Sequence, residues 1–224
     1  MGSKTTRLHN SVVVIGLGRF GRSLAREVMA GGAEVLAIDA DDHVVQSLTG
    51  RLTHVVTADS TDEEALRQLS VHEFRRAVVA IGTDVESSIL TTSILVDFGI
   101  PNIWAKAISN AHAKILSKVG AHHVVRPEHD MGRRVAHLVG GKLQDYIEFD
   151  DEGYAIAKTT PPSYLWGLPL RQSTPRTKHG AAVIGVKSPG QGFILATPDT
   201  VINRGDTIIV SGQREAVERF SNMD

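Results

Sequence analysis

Short apolar runs recur along the first half of the chain. They are separated by stretches whose apolar residues return every three to four positions. Val12-Val13-Val14-Ile15 is uninterrupted. A strand covered on both faces reads this way, because neither side of the pleat meets water. Runs of the same kind follow at Val35 to Ile38, His54 to Thr57, Ala77 to Ile81, Ile103 to Lys106 and His123 to Val125. Between them, Phe20 to Met29 places Leu24 and Val28 at helical spacing. Thr61-Asp62-Glu63-Glu64 opens another helix, with carboxylates in the first turn where the dipole favours them. Val85 to Phe98 and His112 to Val119 are two more, and Gly99-Ile100-Pro101-Asn102 and Gly120 are stop signals. The alternation predicts an α/β fold, a Rossmann-like doubly wound parallel sheet.

The pattern then changes. Asp130 to Leu143 reads as a helix, with Val135, Leu138 and Val139 on one face and Gly140-Gly141 weakening its end. Tyr146 to Thr159 reads as strands around an Asp150-Asp151-Glu152-Gly153 turn, and Pro161-Pro162 breaks the chain. Ala181 to Lys187 is a strand, Ser188 to Gly192 a hairpin turn, and Phe193 to Ala196 its return. Asn203-Arg204-Gly205-Asp206 turns into a strand at Thr207 to Val210, and Gln213 to Phe220 closes with a helix. These elements predict a second, smaller α+β domain. The expected division is a leader or tag over 1–10, a nucleotide-binding domain over 11–130, a linking helix over 131–145 and a C-terminal domain over 146–224.

Composition narrows the function. With 24 basic against 25 acidic residues, a net charge of -1 argues against a nucleic-acid binder held by phosphate contacts. The absence of cysteine excludes thiol catalysis and Cys-ligated metals, and fits a reducing compartment. No apolar run approaches the roughly 20 residues that span a bilayer, so a membrane role is expected to run through a partner. Met1 to Thr6 nominally fits a myristoylation pattern and reads more simply as a polar leader.

Gly16-Leu17-Gly18-Arg19-Phe20-Gly21 is G-x-G-x-x-G. It follows a buried strand, opens a helix, and is followed at the end of the second strand by Asp39, which completes the dinucleotide fingerprint. Gly16 permits the tight turn, Gly18 lets phosphates approach the backbone, and Gly21 lets the helix pack on the sheet. Free N–H groups at the helix start hold phosphate oxygens. Asp39 accepts from ribose hydroxyls. A 2′-phosphate would meet Asp39, Asp41 and Asp42, which disfavours NADP. Arg19 sits at the phosphate turn and reads two ways. Its guanidinium can grip a terminal phosphate bidentately, or it can be an exposed arginine paired with a surface acid.

Enzymatic readings find little support. Tyr154 and Lys158 match Y-x-x-x-K, but that chemistry needs a helix, and the segment reads as a strand, where the two side chains lie roughly 13 Å apart. The histidines show no paired metal spacing.

Val14 to Gly21 closely resembles the start of RCK proteins, cytosolic regulators of potassium channels and transporters. Ala80-Ile81-Gly82 followed by Leu90-Thr91-Thr92, then Ile100 to Ala107, then Arg126 to Gly132, look like the KtrA/TrkA branch. The C-terminal part, including Arg176-Thr177-Lys178-His179-Gly180, looks like the RCK C-terminal (TrkA-C) domain, so that the resemblance runs from Ser11 to Phe220. It implies a regulatory subunit rather than an enzyme. It further implies homodimers assembling into an octameric ring under a membrane-embedded KtrB/TrkH-like potassium translocator. The chain would then be cytoplasmic, held at the inner face of the membrane through that partner. ATP and ADP would bind the N-terminal fold, with ATP favouring the active ring.

By the same resemblance Arg19 reaches the terminal phosphate, Asp39, Ala40 and Asp41 surround the ribose, and Asp59 and Ser60 flank adenine. Ile81, Gly82 and Thr83 line the cleft, and Lys106, Ala107 and Ile108 with His112 close its phosphate side. From the residues alone, Lys106 is a solvated strand-end lysine and Glu128 a helix-start acid. The resemblance places Glu128 beside the phosphates, where it would help bind Mg²⁺ or another cation. Some relatives bind cyclic di-AMP in the C-terminal domain. Here Arg176 is kept, but Ala182 stands where those relatives carry Asn, which leaves that ligand open. The competing readings are an NAD-dependent oxidoreductase and an NAD(H)-sensing module.

Overall fold

The structure is a computed structural model and describes residues 10–149 and 153–224. The expected leader, Asn10 apart, and Asp150, Asp151 and Glu152 of the expected turn lie outside these residues. The chain divides into two compact units, one ending at Glu128 and the other beginning at His129.

The first unit alternates strands and helices: β1 (Ser11–Ile15), α1 (Arg19–Ala30), β2 (Glu34–Asp39), α2 (Asp42–Leu48), β3 (His54–Thr57), α3 (Glu63–Gln68), β4 (Ala77–Val79), α4 (Val85–Asp97), β5 (Ile103–Lys106), α5 (Asn110–Val119) and β6 (His123–Val125). The six strands form one parallel sheet in the order β3-β2-β1-β4-β5-β6. The expected doubly wound sheet is therefore present. Its apolar runs are explained by burial on both faces. Val13 and Ile15 pack with Leu66, Leu95 and Leu116 of α3, α4 and α5. Val12 and Val14 pack with Ala25 of α1 and Leu48 of α2 on the other face.

Helix α2 has no counterpart in the sequence reading. Its seven residues hold too little periodicity to stand out, and Asp41 starts it by accepting from the His43 N–H at 2.9 Å. Strand β4 stops at Val79, short of the expected Ile81. The Ala80 N–H still donates to the Ile15 carbonyl at 2.7 Å, and the chain then leaves the sheet.

Helix α6 (Pro127–Val139) starts and ends earlier than the expected span from Asp130 to Leu143. Pro127 takes the first helical position, where its missing N–H costs nothing and its fixed φ fits. Gly140-Gly141 stops the helix, and Leu143 already belongs to the next strand.

The second unit holds β7 (Leu143–Phe149), β8 (Tyr154–Thr159), the short helices α7 (Leu170–Ser173) and α8 (Pro175–His179), then β9 (Ala181–Lys187), β10 (Ile194–Leu195), β11 (Thr207–Gln213) and α9 (Arg214–Ser221). Its five strands form an antiparallel sheet in the order β10-β9-β11-β8-β7. Alternation is visible here, as expected for a sheet with one covered face. Tyr146, Ala155, Ala157, Ile208 and Val210 face a core shared with Val217 and Phe220 of α9. Tyr154 and Lys158 both lie on β8, in the extended backbone expected for them. No helix among the described residues is long and apolar enough to cross a membrane.

Candidate functional site

In the first unit the strand order reverses between β1 and β4, and the loops leaving the strands' C-terminal ends part there. An open α/β sheet forms its ligand crevice at such a point. A cleft of about 710 Å³ occupies this position.

Its floor is the turn between β1 and α1. Gly16 has φ +90°, and a Cβ there would lie 2.9 Å from the Ile81 nitrogen. A Cβ on Gly21 would lie 1.9 Å from the Gly16 carbonyl oxygen, so α1 can sit this close to β1 only without one. Gly18 differs from both. A Cβ on it would meet no atom within 4 Å, so the missing side chain leaves open space on the cleft side. Gly18 caps α1 without any side-chain acceptor. The first amides of the helix therefore keep donors for an outside acceptor.

Asp39, at the end of β2, grips this turn. One carboxylate oxygen accepts from the Leu17 N–H at 2.5 Å and the other from the Asp41 N–H at 2.9 Å. Ala40 and Asp41 follow it along the rim. Asp42 points elsewhere. It accepts from the Thr57 hydroxyl at 2.9 Å and from the Gln46 amide, and it is absent from the lining. The expectation that it would meet a 2′-phosphate is corrected accordingly.

On the far side, Asp59 accepts from the N–H and hydroxyl of Thr61 at 2.9 and 2.7 Å. These bonds hold its carboxyl below the usual carboxylate range. Ser60 is buried, and its hydroxyl meets that of Thr91 at 2.8 Å. Ile81, Gly82 and Thr83 continue the wall where β4 ends.

Lys106, almost fully buried at the end of β5, donates to Glu128 at 2.7 Å. This hydrogen bond, with smaller help from the charge of Arg19, draws the Glu128 carboxyl down. The Lys106 ammonium also stands 5.8 Å from the centre of the Phe20 ring. Ile108 closes this end.

Gly21, Ala107 and His112 are the expected site residues that do not line the cleft. Gly21 is spent on helix packing. Ala107 is a core residue whose N–H donates to the Val125 carbonyl at 2.9 Å. His112 is buried on α5, where desolvation lowers its imidazole pKa. Its Nδ1 accepts weakly from the Ile108 N–H at 3.4 Å, so it positions a lining residue.

The sequence reading missed Arg22, Val44, Ala58, Asp84 and Ser87, all of which line the cleft. Asp84 carried a legible signal as an acid directly before an apolar helical run. It caps α4, accepting from the Ser87 N–H at 3.0 Å and the Ser87 hydroxyl at 2.7 Å. Among the described residues no group of three or more His, Cys, Asp or Glu could hold a metal ion. A cation beside Glu128 would complete its shell with water, backbone carbonyls or phosphate oxygens of a ligand.

Family models match both units: a TrkA-N domain over residues 12–127 and a TrkA-C domain over residues 154–223. Ktr system potassium uptake protein C of Bacillus subtilis is 38% identical over 208 residues, covering 92% of this chain and 94% of that protein. Among solved structures, the GsuK channel bound to NAD superposes with a TM-score of 0.65 at 18% identity, covering 94% of this chain and 39% of that one. GsuK bound to ADP aligns over 55% of this chain and 33% of that one, with a TM-score of 0.50 at 18% identity. The chain thus spans well under half the length of those channel chains.

Proposed function

The chain belongs to the family of Ktr potassium uptake proteins built from a TrkA-N and a TrkA-C domain, and on that premise we propose that it is a regulatory subunit that binds ATP and ADP in the cleft of its first unit. The observation that carries this function is the turn at Gly18. Open space, uncapped helix amides and the guanidinium of Arg19 line a cleft beside the Asp39 carboxylate, which grips the same turn. A phosphate chain suits the amides and guanidinium, and a ribose the carboxylate. Lys106 and Ile108 close the phosphate side, and Asp59 and Ser60 flank the base. Glu128 shares a cation such as Mg²⁺ with the terminal phosphates.

NAD(H) is the second ligand to weigh, because the superposed GsuK channel is described as bound to NAD. Its adenosine half would use the same residues. Calorimetric titration with ATP, ADP, NAD and NADP separates these cases. ATP and ADP are expected to bind in the micromolar range or tighter, and NADP hardly at all. A preference for NADP over both would overturn the assignment. Arg19→Ala is expected to weaken ATP about tenfold, the worth of one charge-assisted contact, and ADP less. Equal losses would make Arg19 a general phosphate or structural residue.

The output of binding is a change of shape handed to a membrane-embedded potassium translocator of the KtrB/TrkH kind. Copies of this chain pair and assemble into an octameric ring at the inner face of the membrane. Support comes from α4, which buries three hydroxyl residues beside Leu95 and leaves two apolar residues in solvent. Ser88, Thr91 and Thr92 are buried, whereas Val85 and Leu90 are exposed. Exposed apolar residues of this kind suit a second copy. ATP must then bind one ring geometry more tightly than another. Light scattering is expected to show an assembly larger than a dimer, with dimensions that differ between ATP and ADP. Leu90→Asp should shift it to smaller species. A monomer under both ligands at micromolar concentration would defeat the ring.

A further inference from the structure

Five carboxylates and three cations line the cleft. Each carboxylate that lines it already accepts from a protein donor: Asp39 from Leu17 and Asp41, Asp41 from His43, Asp59 from Thr61, Asp84 from Ser87 and Glu128 from Lys106. Two guanidiniums stand among them without an ion pair among the described residues. Arg19 and Arg22 both line the cleft, three residues apart on one face of α1.

Arg22 is the hydrogen-bonded one of the two. Its Nε–H donates to the carbonyl oxygens of Leu17 at 3.1 Å and Gly18 at 3.3 Å. These are the carbonyls of the turn whose amides face the cleft. The bond lays the side chain along that turn and uses one of five donors. No acceptor among the described residues meets its terminal nitrogens. We infer that Arg22 is a second phosphate-holding cation, pre-positioned by the glycine turn, that selects ligands with two or more phosphates. The assignment rests on the nucleotide reading above. It adds to it a division of labour, with an anchored Arg22 on the inner phosphates and a free Arg19 on the terminal one. Anchoring matters because less side-chain freedom is lost on binding.

The test is calorimetry of ATP, ADP and AMP on the full chain carrying Arg22→Gln or Arg22→Lys. Glutamine keeps an N–H for the turn carbonyls and removes the charge. It is expected to weaken ATP and ADP each about tenfold, as for a lost charge-assisted hydrogen bond, and to change AMP much less. Lysine keeps the charge and is expected to retain most of the preference for ADP over AMP, even if the turn loosens. If Arg22 only held the turn, the two variants would weaken AMP and ADP alike, and the inference would be overturned. ATP and ADP binding unchanged in Arg22→Gln would overturn it too, while leaving the proposed function standing. A native chain that binds none of the three nucleotides would remove both.

Discussion

Gly21→Ala is expected to cost the first unit about 3 kcal/mol or more, the upper range for overpacking a tight interior, and to abolish nucleotide binding. The added methyl would sit 1.9 Å from the Gly16 carbonyl oxygen. That oxygen is backbone, and it cannot rotate away as the end of a flexible side chain could. Relief requires α1 to move off β1 by more than an ångström, in a core as dense as an organic crystal. The shift would carry Gly18 and Arg19 with it, so the amides and guanidinium that face the cleft would lose their aim. Gly18→Ala provides the contrast. Its methyl meets nothing within 4 Å, and the backbone there has φ -62°, which alanine adopts freely. Its effect on stability should stay below about 1 kcal/mol, while ATP and ADP should bind distinctly less well, because the methyl would stand where the proposed phosphates approach. Amide exchange across β1 to β5, with calorimetry, separates the two. A Gly21→Ala chain with native protection and native affinity would mean that α1 does not pack against this turn.

The contrast between these glycines shows what the sequence could and could not say. The spacing of the fingerprint assigns each glycine a task in advance, because the geometry of a strand, tight turn and helix is the same wherever it occurs. The doubly wound sheet was legible for a similar reason. A strand buried on both faces has to be apolar throughout, and Val12 to Ile15 is. In the second unit the same rule works through alternation, since only one face is covered.

Other features depend on contacts between distant parts of the chain, which no local pattern encodes. Asp39 and Asp42 are both acids near the end of β2. Only the turn back to α1 and the hydroxyl of Thr57 decide that one faces the cleft and the other does not. Ala107 stands between the lining residues Lys106 and Ile108, and His112 follows Ile108 by four positions, yet both are buried away from the cleft. Arg22 follows the fingerprint's last glycine, and nothing in the motif announces it. Its place is set by two carbonyls of the turn one helical turn away.

Asp39→Ala is expected to weaken ATP, ADP and NAD together, roughly tenfold to a hundredfold, for the loss of charge-assisted hydrogen bonds worth about 1.5–3 kcal/mol. Two losses combine. The ribose hydroxyls lose an acceptor, and the Leu17 and Asp41 N–H groups lose the carboxylate that holds them at 2.5 and 2.9 Å. Because the second loss loosens the glycine turn, the alanine variant alone cannot tell recognition from positioning. Asp39→Asn can. The amide oxygen still accepts from one backbone N–H, but the negative charge is gone. At an effective dielectric near 20, unit charges 4 Å apart interact by about 4 kcal/mol, so a ribose 2′-phosphate bound beside Asp39 would be strongly repelled by the native carboxylate. With that charge removed, the ratio of NADP to NAD affinity should rise by at least about tenfold, held back from full reversal by Asp41, which still lines the rim. A ratio unchanged in Asp39→Asn, with both ligands weakened equally, would show that Asp39 braces the turn without facing the ribose. The preference for unphosphorylated ribose would then have to come from Asp41.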